Sequence, residues 1–406
     1  MTIRLDTMQR IDFWVGIPLC WVCSLLVKLW NHLFHPALPS PKNVLFIELS
    51  EMGSAFLAYP SMQTLSREFP GANLHFLIFH RNRESVSLLR IVPESQIITI
   101  DDSSLVRFAL TTVVALTRLW RARIDTSIDL ELFSRCTALL TLLSGAGNRV
   151  GFFKFVDEGL YRGSFLTHPV HYNNLQHMSE NFLALVLALK EDPTDLPLTR
   201  RDVRPYRLPL PQLAIEQRHH EQLSEILAQR GFKSGSHRLI LFNPDPGLLI
   251  LRGWSLSSYL LLGQKLLELD PAFRIGVVGL PRSQHYAKDL QSQLGSDRIL
   301  DLTGVTSSMF ELGVLMNHAE LMIGTDSGPA HLASLTKISN VVLFGPESPL
   351  RYAPLGERSI TLFAGLACSP CYSAANHRRS VCKENRCMSE ISPQQVFEAS
   401  KQLLRA

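Results

Sequence analysis

The octapeptide Gly324-Thr325-Asp326-Ser327-Gly328-Pro329-Ala330-His331 constrains this chain more than any other stretch. It lies between two apolar runs. Leu321 to Ile323 reads as the end of one buried strand and Asn340 to Phe344 as the next. Between them, Pro329 to Leu335 carries a helical pattern, and Pro329 suits a first helical position, where no intrahelical N–H is needed. A strand, a short Gly/Ser loop and a helix aim unpaired N–H groups and a positive helix end at an anion. Thr325, Ser327 and Gly328 would supply hydroxyl and backbone donors to phosphate. Asp326 would hold sugar hydroxyls or cap the helix, and His331, one turn in, would face the phosphate or sit half-buried. Together these residues suggest a phosphorylated sugar ligand, such as a nucleotide-sugar.

The surrounding pattern predicts an α/β chain of two domains, for which 406 residues suffice. In the first series, Asn43 to Leu49, Leu74 to Phe79, Gln96 to Ile100 and Thr126 to Leu130 read as strands. Glu51 to Ser54 reads as a loop, and Ala55 to Phe69 as a helix interrupted by Pro60. Pro205, Pro209 and Pro211 mark a boundary. A helix from Leu213 to Arg230 follows, then strands at Leu239 to Asn243, Arg274 to Gly279, Leu321 to Gly324 and Asn340 to Leu343. Strands alternating with helices imply parallel sheets, whose ligands lie beyond the carboxyl ends of the strands. Asn243-Pro244-Asp245, Gly279 and Thr303-Gly304 end strands of the second series, and Asp129 and Glu131 end one of the first. The expected divisions are 1–35, 36–211, 212–391 and a terminal helix at 392–406 that opens at Ser392-Pro393.

The first 35 residues differ from the rest. Phe13 to Val27 is uncharged, and extension to Phe34 reaches a spanning length but takes in Lys28, Asn31 and His32. Pro18 predicts a kink, and Trp14, Trp21 and Trp30 favour a membrane interface. With no small-residue cleavage site after the apolar core, the segment reads as a retained membrane anchor that lies in the interface or spans once. The mild net charge of +4 fits work near an anionic membrane. No basic run exceeds two residues, which excludes a nucleic-acid partner.

Cys368-x2-Cys371 and Cys382-x4-Cys387 have spacings that could hold a structural zinc ion, form disulfides or remain thiols. Asn376 and His377 add a possible ligand, and Arg378-Arg379 a basic cluster.

Asp-Ser-Gly-Pro-Ala-His at 326–331, with Phe344-Gly345-Pro346 and Tyr352-Ala353-Pro354-Leu355-Gly356, resembles the heptosyltransferases of glycosyltransferase family 9. The resemblance runs from about Val44 to the C-terminus and is strongest from Leu300 to Gly356. It implies the GT-B architecture, two Rossmann-like domains facing a cleft, and inverting transfer in lipopolysaccharide assembly. The implied donor is a nucleotide-sugar of ADP-heptose type, its base open, and the implied acceptor a lipid-linked or other envelope glycan. The implied location is the cytoplasmic face of the bacterial inner membrane. Arg252 matches the family's basic residue that neutralises the diphosphate, while Gly253 stands where a second basic residue is usual. Asn243 would border the donor. With helix and arginine on the diphosphate, no catalytic metal is expected.

The first loop departs from the family. Where the family has Ser-x-x-Gly-Asp, this chain has Ser50-Glu51-Met52-Gly53-Ser54, and serine cannot take a proton unaided. Glu48 replaces a usual basic residue. Glu51, or Asp129 or Glu131 on another loop, would then be the base, with His171 and His177 as further options. Two readings of another class stay open: a non-catalytic carbohydrate-binding scaffold and a nucleotide-sugar epimerase of the same fold.

Overall fold

The computed structural model describes residues 5–155, 159–373 and 378–405. Short apolar, β-branched runs become strands, and the chain divides into two units, Met1–Pro209 and Leu210–Ala406.

In the first unit the strands are β1 (Asn43–Ile47), β2 (Asn73–Phe79), β3 (Ile97–Ile100), β4 (Thr126–Asp129), β5 (Asn148–Phe152) and β6 (His168–Val170). They form one sheet in the order β3-β2-β1-β4-β5-β6, and every pair is parallel. In the second unit they are β7 (Arg238–Asn243), β8 (Phe273–Val277), β9 (Ile299–Asp301), β10 (Leu321–Thr325), β11 (Ser339–Phe344) and β12 (Ser359–Phe363). Their order is β12-β11-β10-β7-β8-β9, again all parallel. Read from the other edge, this is the same topology. In each sheet the first and fourth strands are neighbours, and the chain reverses its direction of travel between them. Such a switch point opens a crevice beyond the strand ends. β1 meets β4 there in one unit, and β7 meets β10 in the other.

Burial follows the sheets. Leu45, Ile47, Leu77 and Ile98 form part of one core under Ala115 and Leu119. Ile240, Phe242, Ile275 and Ile323 form part of the other, under Tyr259 and Leu262. The terminal helix Pro393–Arg405 adds Val396 and Ala399 to this second core.

One local expectation is corrected and a second is placed. Glu51–Ser54 is not a full loop. A helix begins at Met52 and runs to Leu57, and a second runs from Tyr59 to Glu68, so the break falls at Ala58, ahead of Pro60. The kink expected from Pro18 falls at Val15, next to Trp14, whose carbonyl the proline ring would meet in a continuous helix. The helices Leu5–Trp14 and Gly16–Phe34 meet at Val15, which leaves Pro18 in the first turn of the second, where its missing N–H costs nothing. Thr7–Phe34 is long and apolar enough to cross a membrane, by length and composition.

Candidate active site

In the second unit, β10 delivers Thr325 and Asp326 to the switch point beside the end of β7. Gly324 eases the close approach there, because a Cβ would stand 3.2 Å from both Asn243 Cβ and Asn243 O. Asn243 is buried, and its carbonyl accepts from Tyr259 Oη at 3.3 Å. The helix after the loop is short: Gly328–Leu332, followed by a 3-10 turn at Ala333–Leu335. Pro329 lies in its first turn, Ser327 is the N-cap, and no side chain closes the cap. Asp326 is therefore not a helix cap.

Arg252 holds Asp326 instead. Its Nη1 donates to Asp326 O at 3.1 Å, and its Nη2 lies 3.2 Å from Asp326 Oδ2. His331 Nε2 approaches Asp326 Oδ1 at 4.0 Å. Among the described residues, three buried polar atoms around this pair, Thr325 Oγ1, Ser327 Oγ and Arg252 Nε, have no hydrogen-bond partner. Buried hydroxyl and guanidinium groups in folded proteins are nearly always bonded, so such a cluster marks a place for a polar ligand.

Gly253 is also explained. A Cβ there would lie 3.2 Å from Ile250 O and 3.4 Å from Pro246 Cγ, so this turn leaves little room for a second basic side chain. Trp254 belongs to the core. Its Nε1 donates to Ile391 O at 2.9 Å, and its ring meets Tyr259 edge-on.

Sequence reasoning missed Glu347 and Arg351. Glu347 is buried just after β11, with Arg351 Nη2 at 3.1 Å and Arg378 Nε at 3.5 Å. Burial raises its pKa, the two arginines oppose the rise, and the charge of Asp326 adds to it. The visible signal was the four-residue spacing of Glu347 and Arg351 after Gly345-Pro346.

In the first unit the switch point gathers carboxylates. The N–H groups of Leu49 and Ser50, just past β1, both donate to Glu131 Oε1 at 2.9 Å. Ser54 Oγ donates to Glu51 Oε2 at 3.1 Å, and the Glu51 N–H to Glu48 Oε1 at 3.2 Å. Asp129 is buried in an ion pair with Arg162, which Thr137 and Ser134 hold in turn. The serine at the family's aspartate position thus orients a neighbouring glutamate.

The electrostatics follow from crowding like charges away from water. Burial, then the charges of Asp129 and Glu51, pushes Glu131 up to about 7 against its two backbone hydrogen bonds. Burial, then Glu131 and Glu51, raises Glu48 well above the carboxylate range. Burial also raises Asp129, although Arg162 opposes it. Glu48 has carboxylates rather than an ion-pair partner as its main charged neighbours. His177 caps the helix Met178–Ala188 in a capping box with Glu180, a structural position, and His171 lies near the Phe155 ring.

Among the described residues, no group of three or more His, Cys, Asp or Glu side chains is placed to hold a metal ion. Cys387 is buried, Cys368 and Cys382 are exposed, and Cys382 Sγ is turned to Glu384 O at 2.9 Å. Among the described residues the four cysteines form no disulfide, and Cys371, Cys382 and Cys368 each lie near enough to Cys387 to act on its thiol electrostatically. Asn376 and His377 lie outside the described residues.

A family model described as glycosyltransferase family 9 (heptosyltransferase) matches residues 117–381. Lipooligosaccharide heptosyltransferase 2 of Campylobacter jejuni is 33% identical over 87 residues, 21% of this chain and 26% of the relative. Lipopolysaccharide heptosyltransferase 3 of Escherichia coli K12 is 33% identical over 94 residues, 23% of this chain and 26% of the relative. These matches span about a quarter of the relatives' length. Among solved structures, E. coli ADP-heptose lipopolysaccharide heptosyltransferase II covers 89% of this chain and 98% of its own, with a TM-score of 0.68 and 19% identity. A family 9 glycosyltransferase from Veillonella parvula reaches a TM-score of 0.66 at 18% identity, covering 90% of this chain and 97% of its own. These likenesses show the GT-B fold.

Proposed function

The chain belongs to glycosyltransferase family 9, and from that premise we propose that it is an inverting glycosyltransferase using a nucleotide-sugar of ADP-heptose type. The proposed acceptor is lipopolysaccharide or another lipid-linked envelope glycan, met at the cytoplasmic face of the inner membrane. The names of the relatives support heptose and the lipopolysaccharide acceptor. The single observation that carries the proposal is the trio of unpartnered buried atoms on Thr325, Ser327 and Arg252 around Asp326.

In this reading the second unit holds the donor. Thr325 and Ser327 donate to phosphate, and the Arg252 guanidinium faces the departing diphosphate while it steadies Asp326 for the sugar hydroxyls. The first unit supplies the base. An acceptor hydroxyl oxygen attacks the anomeric carbon opposite the diphosphate. The carbon–oxygen bond to diphosphate breaks and its electron pair leaves with the diphosphate. The hydroxyl proton passes to Glu131, whose Oε1 is held by two backbone N–H groups, so Oε2 receives it. Glu51 is the partner whose negative charge helps keep Glu131 basic. Asp129, locked to Arg162, positions Glu131 by accepting its N–H at 3.1 Å. No structural metal is part of the proposal.

The test is calorimetric titration of the detergent-solubilised chain with ADP-, UDP-, GDP- and CMP-sugars, beside Asp326→Ala. Binding of one donor, weakened at least tenfold in the variant, supports the donor site. Absence of binding by every donor would refute it.

A further inference from the structure

Among the described residues, the N-terminal helices are fastened to the first unit along one stripe. Gly16, Cys20 and Ser24 are buried against the helix Arg135–Leu143 and its surroundings. Gly16 permits the contact, since a Cβ would stand 2.8 Å from Arg135 Cβ. Ser24 Oγ donates to Cys20 O at 2.6 Å and accepts from the Ser164 N–H at 2.7 Å. Asp12 caps the Arg135–Leu143 helix, accepting from the N–H groups of Arg135 and Cys136 at 2.8 and 3.1 Å, and pairs with the Arg135 guanidinium at 2.9 Å. Opposite this stripe the helices present bare apolar surface, including Trp14 at 74% exposure and Leu26 at 61%.

A second helix, remote in sequence, presents the same kind of surface. Leu105–Arg121 is strongly amphipathic, capped by Ser104, and buries Ala115 and Leu119. Its outward stripe is Val106, Leu110, Val113 and Trp120, spaced 4, 3 and 7 residues apart, and all four are exposed. A helix of an ordinary soluble domain would carry polar residues there. Arg118, Arg121 and Arg123, all exposed, gather at its carboxyl end. Trp120 Nε1 donates to Leu143 O at 2.8 Å. This helix therefore rests on the same Arg135–Leu143 helix that holds the N-terminal pair.

We infer that the Leu105–Arg121 face and the N-terminal helices form one monotopic docking surface for an anionic phospholipid bilayer, with Gly16–Phe34 lying in the interface rather than crossing it. Two observations select lipid over a protein partner. The apolar residues include tryptophans at Trp14, Trp21, Trp30 and Trp120, which suit a half-wet interface. Among the described residues, Arg10, Lys28, Arg118, Arg121 and Arg123 of these helices and their ends are exposed and basic, and complement anionic headgroups. A crossing helix would have to leave the Asp12 and Ser24 contacts, and would strand the Leu110 stripe in water. The inference shares with the proposed function only the membrane location.

The test is flotation of the full chain on vesicles of phosphatidylethanolamine with phosphatidylglycerol, and on phosphatidylcholine alone. It compares the parent with Leu110→Asp/Val113→Asp and with Arg118→Glu/Arg121→Glu. Both double variants change exposed side chains, and donor titration of each checks that the fold and the donor site persist. The aspartate pair should lower partitioning at least tenfold on both vesicles, and the glutamate pair only on the anionic ones. Brominated lipid should quench parent fluorescence more than that of Trp120→Phe. Parent-like flotation of both double variants, with equal quenching in Trp120→Phe, would overturn the inference and leave the N-terminal segment as sole anchor. Loss of self-association instead of lipid binding would overturn it in favour of a second copy.

Discussion

At the scale of single residues the account rests on two carboxylates. Glu131→Gln should leave donor binding intact and lower kcat by roughly 10²–10⁴-fold, the range for loss of a general base. Asp326→Ala should instead weaken donor binding at least tenfold. The acid limb of kcat/KM for the parent should turn near pH 7, because Glu131 must lose its proton to act and is pushed up to about 7. The same shift has a cost in stability. Relative to an ordinary glutamate at 4.5, the folded chain is favoured with Glu131 protonated, so its stability declines as pH rises from about 4.5 through about 7. Glu131→Gln should flatten that slope in urea melts taken between pH 5 and 8. Glu131 was legible in the sequence as a carboxylate at a strand end. Its tuning was not, because the N–H groups of Leu49 and Ser50 reach it across about 80 residues of chain. Nor was the arrest of Asp129 by Arg162, since nothing local marks Arg162 as its partner.

At the scale of elements most strands beside the switch points, and the edge strand β3, were readable, while β5, β6, β9 and β12 were not. β1, β2, β4, β7, β10 and β11 announce themselves by continuous buried runs. β6 and β9 have three residues each, and β6 contains Pro169, which edge pairing tolerates. β5 is interrupted by Gly151, and β12 is half-buried throughout. Such strands take their identity from neighbours rather than from pattern. Trp254 shows the converse, a motif residue whose work is structural. It ties the start of the Leu256–Leu269 helix to Ile391, just ahead of the terminal helix. Trp254→Ala should cost about 3–5 kcal/mol in denaturant melts. Trp254→Phe, which keeps most of the packing, should lose about 1 kcal/mol for the missing hydrogen bond.

At the scale of the whole chain, two sheets of one topology put two different chemistries at equivalent places. The β7/β10 switch point carries a cation and unpartnered hydroxyls, and the β1/β4 switch point carries carboxylates. The strand, loop and helix of the octapeptide made the first place legible. The second was obscured because Ser54 stands at the family's aspartate position and bonds Glu51 of its own loop, while Glu131 comes from a distant one. Saturating donor at 100 times its Kd should stabilise the chain by about 2.7 kcal/mol, and at the same concentration by no more than about 1.4 kcal/mol in Asp326→Ala. The measurement that bears most directly on the central claim is donor-dependent release of nucleoside diphosphate in the presence of a lipid-linked envelope glycan extract, from pH 5.5 to 8.5. Parent, Glu131→Gln and Asp326→Ala are compared. The account predicts acceptor-stimulated release by the parent with an acid limb near 7, and release at least a hundredfold slower from Glu131→Gln at unchanged donor affinity. Release from Glu131→Gln at the parent rate, or none from the parent with any donor, would contradict it.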